Sequence, residues 1–220
     1  NYNTLIPISV LPDLSFSLVG EEVGDFDGLP VIYLNQPNFN TVELMIKRLT
    51  DILSSTLGLL FISPLLLLVS IGVKLSSSGP VLYSQERVGL DGKSFKMWKF
   101  RSMRLAKAGE DKISWSSKDE PRKTRFGSLI RKTSIDELPQ LWNILIGEMS
   151  LVGPRPERPH FVEKFQNEIP NYMLRHKMKA GLTGWAQVNG WRGDTSIIKR
   201  FECDIYYIKN WSYWLDIKIV

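Results

Sequence analysis

Ile52–Val73 reads ILSSTLGLLFISPLLLLVSIGV, twenty-two consecutive residues without a charge. A helix needs about 20 apolar residues to cross a bilayer, so this run decides what kind of protein the chain is. Three readings are open. One is a plain spanning helix. Another turns on Ser63-Pro64 at the centre of the run. Proline removes a backbone donor and clashes with the preceding turn, which kinks a helix. A sharp enough kink makes a re-entrant hairpin that dips into the bilayer and returns to the same face. The third reading, a core helix of a soluble protein, is disfavoured by so long a stretch without charge. Lys47 and Arg48 precede the run and Lys74 follows it. Positive charge at both ends suits two cytoplasmic ends, with the amphipathic lead-in VELMIKRLTD (42–51) lying along the membrane surface.

Outward from this run the charge is uneven. Residues 1–42 hold no Lys or Arg and five acids, whereas residues 74–132 hold fifteen Lys/Arg against six acids. A basic stretch of that size seeks phosphate, from nucleic acid, anionic lipid or a phosphorylated substrate. The uncharged run argues against nucleic acid. Cys203 is the single cysteine and His160 and His176 the two histidines, so a disulfide framework and a Cys/His metal site are not expected. A reduced, cytosol-facing setting follows. Asn1 is not an initiator Met, and no basic segment leads into an apolar run as in a signal peptide, so the chain reads as a piece of a longer protein.

Residues 1–41 alternate short apolar runs (Leu14–Val19, Leu29–Leu34) with turn formers and are too few to bury a core. Val81–Tyr83 reads as extended and Gly89–Gly92 as a turn. Ser94–Met103, SFKMWKFRSM, roughly alternates apolar and basic residues, as a strand with one charged face would. Ala106–Pro121 is polar and reads as a loop. Helical patterns follow around Leu138–Gly147 and His160–Lys179. The C-terminal stretch, with Tyr206, Tyr207, Trp211, Tyr213 and Trp214, reads as an interfacial helix, an ordinary core helix being the alternative.

Four segments have the chemistry for a site. In IRKTSIDELPQ (130–140), Asp136 and Glu137 precede an apolar run beside Arg131 and Lys132. Acids favour a helix start, and Ser134-x-x-Glu137 spells a capping box. Capping by Asp136 instead keeps Pro139 in the first turn. A carboxylate at a positive helix end is also what a nucleophile aimed at phosphate requires. In GPRPE (153–157) two prolines stiffen the backbone around Arg155, which suits bidentate phosphate binding; a solvated turn is the alternative. Lys99 and Arg101 stand at alternate positions of the basic strand, able to hold a diphosphate or to meet anionic headgroups. The glycine-punctuated GLTGWAQVNGWRG (181–193) offers Trp185 and Trp191 for stacking on a ligand or for structural turns.

Together these segments resemble the bacterial sugar transferases, also described as polyprenyl-phosphate hexose-1-phosphate transferases or large monotopic phosphoglycosyl transferases. The resemblance is carried by the apolar run with Ser63-Pro64, QERVGLDGKSFKMWKFRSM, RKTSIDELPQLWNIL, MSLVGPRPE and KAGLTGWAQVNG, in order over Val42–Val220. Within the family it is strongest to undecaprenyl-phosphate glucose phosphotransferases.

The resemblance implies an α+β, membrane-associated fold with a re-entrant helix broken at Ser63-Pro64. It also implies a mostly helical cytosolic catalytic domain, a short strand-containing segment and interfacial amphipathic helices. Residues 1–41 then correspond to the end of an upstream nucleotide-binding-like domain, 42–75 to the membrane helix and 76–220 to the catalytic domain. It further implies transfer of a hexose-1-phosphate from a UDP-sugar to undecaprenyl phosphate, with release of UMP, as the first membrane step of exopolysaccharide or capsule assembly. Asp136 matches the nucleophile and Glu137 its partner, with Mg²⁺ bound at both; Lys99, Arg101, Arg131 and Arg155 match phosphate-facing positions. The expected setting is the cytoplasmic membrane with the site on the cytosolic side, in contact with lipid, without nucleic acid and with self-association open.

Overall fold

The computed structural model describes residues 39–105 and 122–220, together with the backbone of three short strands at 9–10, 23–26 and 29–33. Leu14–Val19 and the polar segment 106–121 lie outside the described residues. β1 (Ser9–Val10), β2 (Val23–Phe26) and β3 (Leu29–Tyr33) form an antiparallel sheet in the order β1-β3-β2.

α1 runs from Thr41 to Ser76, 36 residues, with the Asn40 side chain accepting from the Val42 amide at its start. One stripe is buried: Lys47, Asp51, Ser55, Val69 and Val73. Leu53, Leu57, Leu60, Phe61, Leu65, Leu67, Leu68 and Ile71 are exposed. Only 11% of the most apolar window is buried within the chain. A core helix would bury that surface, so its apolar outer face requires another apolar medium, and the helix is long and apolar enough to be embedded in a membrane.

The helix continues through Pro64. Ser63 Oγ donates to the Leu60 carbonyl at 2.8 Å, the carbonyl that would otherwise accept from residue 64. The halves on either side of Pro64 pack on one body. Near the start, Lys47 pairs with Asp216 at 2.5 Å, and Asp51 accepts from the Leu151 amide at 2.9 Å and from Ser150 Oγ at 3.1 Å. Near the end, Val69 and Val73 pack with Phe100 and Ile130, and a Cβ at Gly72 would meet the Phe126 ring at 2.4 Å.

β4 (Leu82–Val88) and β5 (Ser94–Phe100) form an antiparallel hairpin, Leu82 opposite Phe100 and Val88 opposite Ser94. Its turn passes through Asp91 and Gly92 with φ of 52° and 73°, the left-handed region that Asp and Gly tolerate. The basic residues of β5 do not share a face, contrary to the expectation from alternation. Lys96 is exposed, whereas Lys99 lies in phase with buried Phe95 and Met97. The strand ends at Phe100, so Arg101 lies outside it.

α2 (Arg125–Lys132), a 3₁₀ turn at Ile135–Glu137 and α3 (Gln140–Ile146) follow, then β6 (Ser150–Val152), α4 (Pro159–Glu168) and a 3₁₀ segment Tyr172–Lys177. Phe95, Met97, Leu141, Ile144, Met149 and Ala180 make one core, with Leu59 and Ile62 of α1 against it. β6 pairs in parallel with β7 (Gly181–Thr183). A Cβ at Gly181 would sit 2.1 Å from the Gly153 nitrogen. Only glycine therefore permits the approach that seats the 153–157 segment against β7.

α5 (Trp185–Val188) leads to α6 (Ile197–Lys209) and α7 (Tyr213–Ile219). The aromatic stretch is thus two helices, and its rings divide. Tyr207 is buried and donates to Asp216 at 2.6 Å, and Trp211 packs edge-on against Phe39; Tyr206 and Trp214 are exposed.

Candidate active site

Asp136 and Glu137 sit in the 3₁₀ turn between α2 and α3, both buried. Neither capping arrangement forms. Ser134 adopts φ 58° and its side chain caps nothing; Pro139 itself directly precedes α3, where a missing N–H costs no helical bond. The left-handed kink at Ser134 turns the chain so that two consecutive carboxylates point into the body. Next to them, Ile135 packs in the cluster formed with Val69 and Val73 of α1. The acid pair therefore lies one residue from the apolar helix.

The two acids have opposite surroundings. Glu137 is clamped: Lys99 Nζ donates to Oε1 at 2.8 Å, Arg155 Nη2 to Oε1 at 2.6 Å and Nη1 to Oε2 at 3.3 Å, and Arg192 Nη2 lies 3.5 Å from Oε2. Burial alone would raise its pKa, but Arg155 and Lys99 outweigh burial and hold the carboxyl far below the usual range. Burial lowers the Lys99 ammonium to about 8 despite Glu137. For Arg155, Glu137 overrides burial and raises the pKa. Asp136 makes no side-chain hydrogen bond to another residue among the described residues; burial raises its pKa, with Glu137 adding and Lys99, Arg131 and a hydrogen bond from its own backbone opposing. One acid is thus fixed as an anion by three cations, and the other lies beside them without a side-chain hydrogen bond to any of them.

The structure brings together Asp136, Glu137, Lys99 and Arg155, with Arg131 exposed at the end of α2 and acting on Asp136 through its charge. Arg101 does not join them. Its guanidinium is buried and donates to the Ser77 and Ser78 carbonyls at 2.7 Å each, the chain leaving α1. Those carbonyls follow the helix end and lack helical partners, and the arginine satisfies them. Ser63 and Pro64 lie at mid-helix, where the Ser63 hydroxyl donates to the Leu60 carbonyl. Trp185 stacks on Tyr206 at 5.7 Å and packs in the core, so it serves structure. Arg192 was not singled out as a site residue by sequence. Its place between two glycines of the tryptophan-bearing loop was the available signal.

Among the described residues no three His, Cys, Asp or Glu converge as a metal cage. Mg²⁺ commonly takes one or two protein carboxylates and completes its shell with phosphate oxygens and water. Asp136 and Glu137 are carboxylates of that kind, and Asp136 is the one that makes no side-chain hydrogen bond to another residue among the described residues.

An α+β body carrying one apolar helix long enough to be embedded in a membrane, with a cation-lined acid pair beside it, is a class of architecture suited to membrane association and to anionic ligands. The chain belongs to the bacterial sugar transferase family, whose model matches residues 42–220. It is similar to the UDP-glucose:undecaprenyl-phosphate glucose-1-phosphate transferase of Escherichia coli (strain K12), 44% identical over 223 residues, covering 99% of this chain and 48% of that protein. It is also similar to the UDP-N-acetylgalactosamine-undecaprenyl-phosphate N-acetylgalactosaminephosphotransferase of Aeromonas hydrophila, 41% identical over 98% of this chain and 51% of that one. A third relative is the exopolysaccharide production protein PSS of Rhizobium leguminosarum bv. phaseoli, 41% identical over 81% of this chain and 93% of its own length. The chain spans about half the length of the first two.

Proposed function

We propose that this chain transfers a hexose-1-phosphate from a UDP-sugar to undecaprenyl phosphate, through a phosphosugar carried on Asp136. The observation that carries the proposal is the split between the two acids: Glu137 locked as an anion by Lys99, Arg155 and Arg192, and Asp136 making no ion pair or side-chain hydrogen bond to another residue among the described residues.

An Asp136 carboxylate oxygen attacks the β-phosphorus, forming a P–O bond as the bond to the bridging oxygen breaks, and UMP leaves with that oxygen. A phosphate oxygen of undecaprenyl phosphate then attacks the same phosphorus. The Asp136–phosphorus bond breaks, giving undecaprenyl diphosphate-sugar and restoring the carboxylate. Lys99, Arg155, Arg192 and Arg131 attract the diphosphate and oppose the charge that develops. Asp136 and Glu137 would be the residues to hold Mg²⁺, which would supply further neutralisation of phosphate charge when bound.

A polyprenyl phosphate carries its anion at the membrane surface. The proximity of Ile135 to α1 supports access from that level. A re-entrant α1 is supported by the packing of both its halves on one body, since a straight spanning helix sends its ends to opposite sides of the bilayer. Exposed Trp142, Ile146, Trp214 and Ile217 suit interfacial side chains. The site would then face the cytosol, where UDP-sugars are found. Glucose and N-acetylgalactosamine both appear among the relatives' names at similar identity, so the proposal is for a hexose class.

The test is UMP release by the chain in lipid with Mg²⁺, undecaprenyl phosphate and a panel of UDP-sugars. Release that requires the lipid phosphate and is lost in Asp136→Asn is expected; lipid binding without release for any sugar would overturn the proposal.

A further inference from the structure

Two arms each carry an arginine onto Glu137: residues 153–157 bring Arg155, and residues 190–194 bring Arg192. A single side chain grips both. Arg200, on the first turns of α6, donates from Nη1 to Glu157 Oε1 at 2.6 Å and from Nη2 to the Gly193 carbonyl at 2.7 Å, with Thr195 Oγ1 at 3.5 Å. It is 3% exposed, so neither contact is a solvated surface pairing.

The first arm is anchored further. Val88 of β4 donates its amide to the Glu157 carbonyl at 2.9 Å, Arg87 pairs with Glu157 at 3.5 Å, and Arg175 donates to the Arg155 carbonyl at 2.8 Å while held by Asp204 at 2.6 Å. The second arm has a looser build. Gly190 and Gly193 take φ of 85° and 75° with open space where a Cβ would stand, and the Arg192 side chain is 45% exposed. A guanidinium on such an arm reaches a fixed point only if the arm is tied down.

We propose that Arg200 is the positioning residue that ties the Arg192 arm to the anchored Arg155 arm, so that both guanidiniums converge on Glu137 and on the diphosphate of a bound UDP-sugar. The planar fork of arginine reaches a carboxylate and a carbonyl at once, which a lysine at the same place does not. Holding the arm before substrate arrives removes the ordering cost from binding. This inference rests on the transfer reaction proposed above.

The experiment compares wild type, Arg200→Lys and Glu157→Gln in lipid by hydrogen exchange and by UMP release at varied UDP-sugar concentration. In Arg200→Lys, amides 190–195 are expected to exchange about tenfold faster while those of α3 keep their protection. The KM for UDP-sugar is expected to rise about tenfold with kcat changed less than about threefold. In an Arg192→Ala background, Arg200→Lys is expected to add less than about a further twofold, because the two act as one unit. Unchanged exchange of 190–195 in a folded Arg200→Lys variant, or effects of Arg200→Lys and Arg192→Ala that simply multiply, would overturn the proposal. If Arg200→Lys does not fold, Glu157→Gln loosens the same joint and is read by the same measurements. Absence of UMP release from wild type would sink the transfer reading, and the exchange result would then decide the tether alone.

Discussion

At the scale of single residues, two neighbours of the same chemical class have been given different tasks by their surroundings. Asp136→Asn keeps the size of the side chain but removes the proposed nucleophile; UMP release is expected to fall at least about a thousandfold with the fold retained, as checked by thermal melting. Glu137→Gln has a different signature. It leaves Lys99 and Arg155 buried without their anion, so a loss of about 3–5 kcal/mol in stability is expected, measured by denaturant titration. The adjacency of the acids and their arginine-rich setting were legible in the sequence. Their division of labour was not, because it depends on partners 38 and 18 positions away, brought together by the Ser134 kink and the strand register. The same reason explains Arg101. Strand periodicity put it with Lys99, but β5 ends one residue earlier, and the open carbonyls beyond α1 claimed its side chain.

At the scale of elements, α1 is the piece whose sequence spoke most plainly, since length and absence of charge are local properties. What the sequence left open was the path of the helix, which packing informs. Residues at both of its ends touch the same body. Single cysteines placed at Thr41 and at Ser78, both exposed, in a Cys203→Ser background, are expected to react with an impermeant thiol reagent from the same side of sealed vesicles. Labelling from opposite sides would identify a spanning helix. Ser63 has a local part in this geometry, covering the Leu60 carbonyl that Pro64 leaves open in an apolar setting. The C-terminal aromatics show the limit of composition as a guide. Tyr207 and Trp211 serve the interior through Asp216, and Trp214 faces outward, a division set by which face of each helix meets the core.

At the scale of the whole molecule, buried charge networks join β4, the 153–157 segment, the Tyr172–Lys177 turn and α6 behind the site, and His176 is enclosed among them. Burial, reinforced by the adjacent Arg175 charge, lowers its pKa from 6.5 to about 3. The unfolded chain therefore takes up a proton that the folded one refuses. This group costs the fold nothing above about pH 6.5, and stability falls as pH drops from there towards 3, by up to about 1.4 kcal/mol per pH unit. Melting curves between pH 7 and pH 4 should show this slope in wild type and a shallower one in His176→Gln; equal slopes would contradict it. The proposed role of Asp136 as carrier of the phosphosugar is read by mass spectrometry of the protein after incubation with Mg²⁺ and a UDP-sugar but without polyprenyl phosphate. The expected result is one UMP released per chain and a mass increase of one phosphosugar on the peptide containing Asp136, discharged when undecaprenyl phosphate is added. Turnover with no adduct on that peptide, or an adduct that survives in Asp136→Asn, would rule Asp136 out as the carrier.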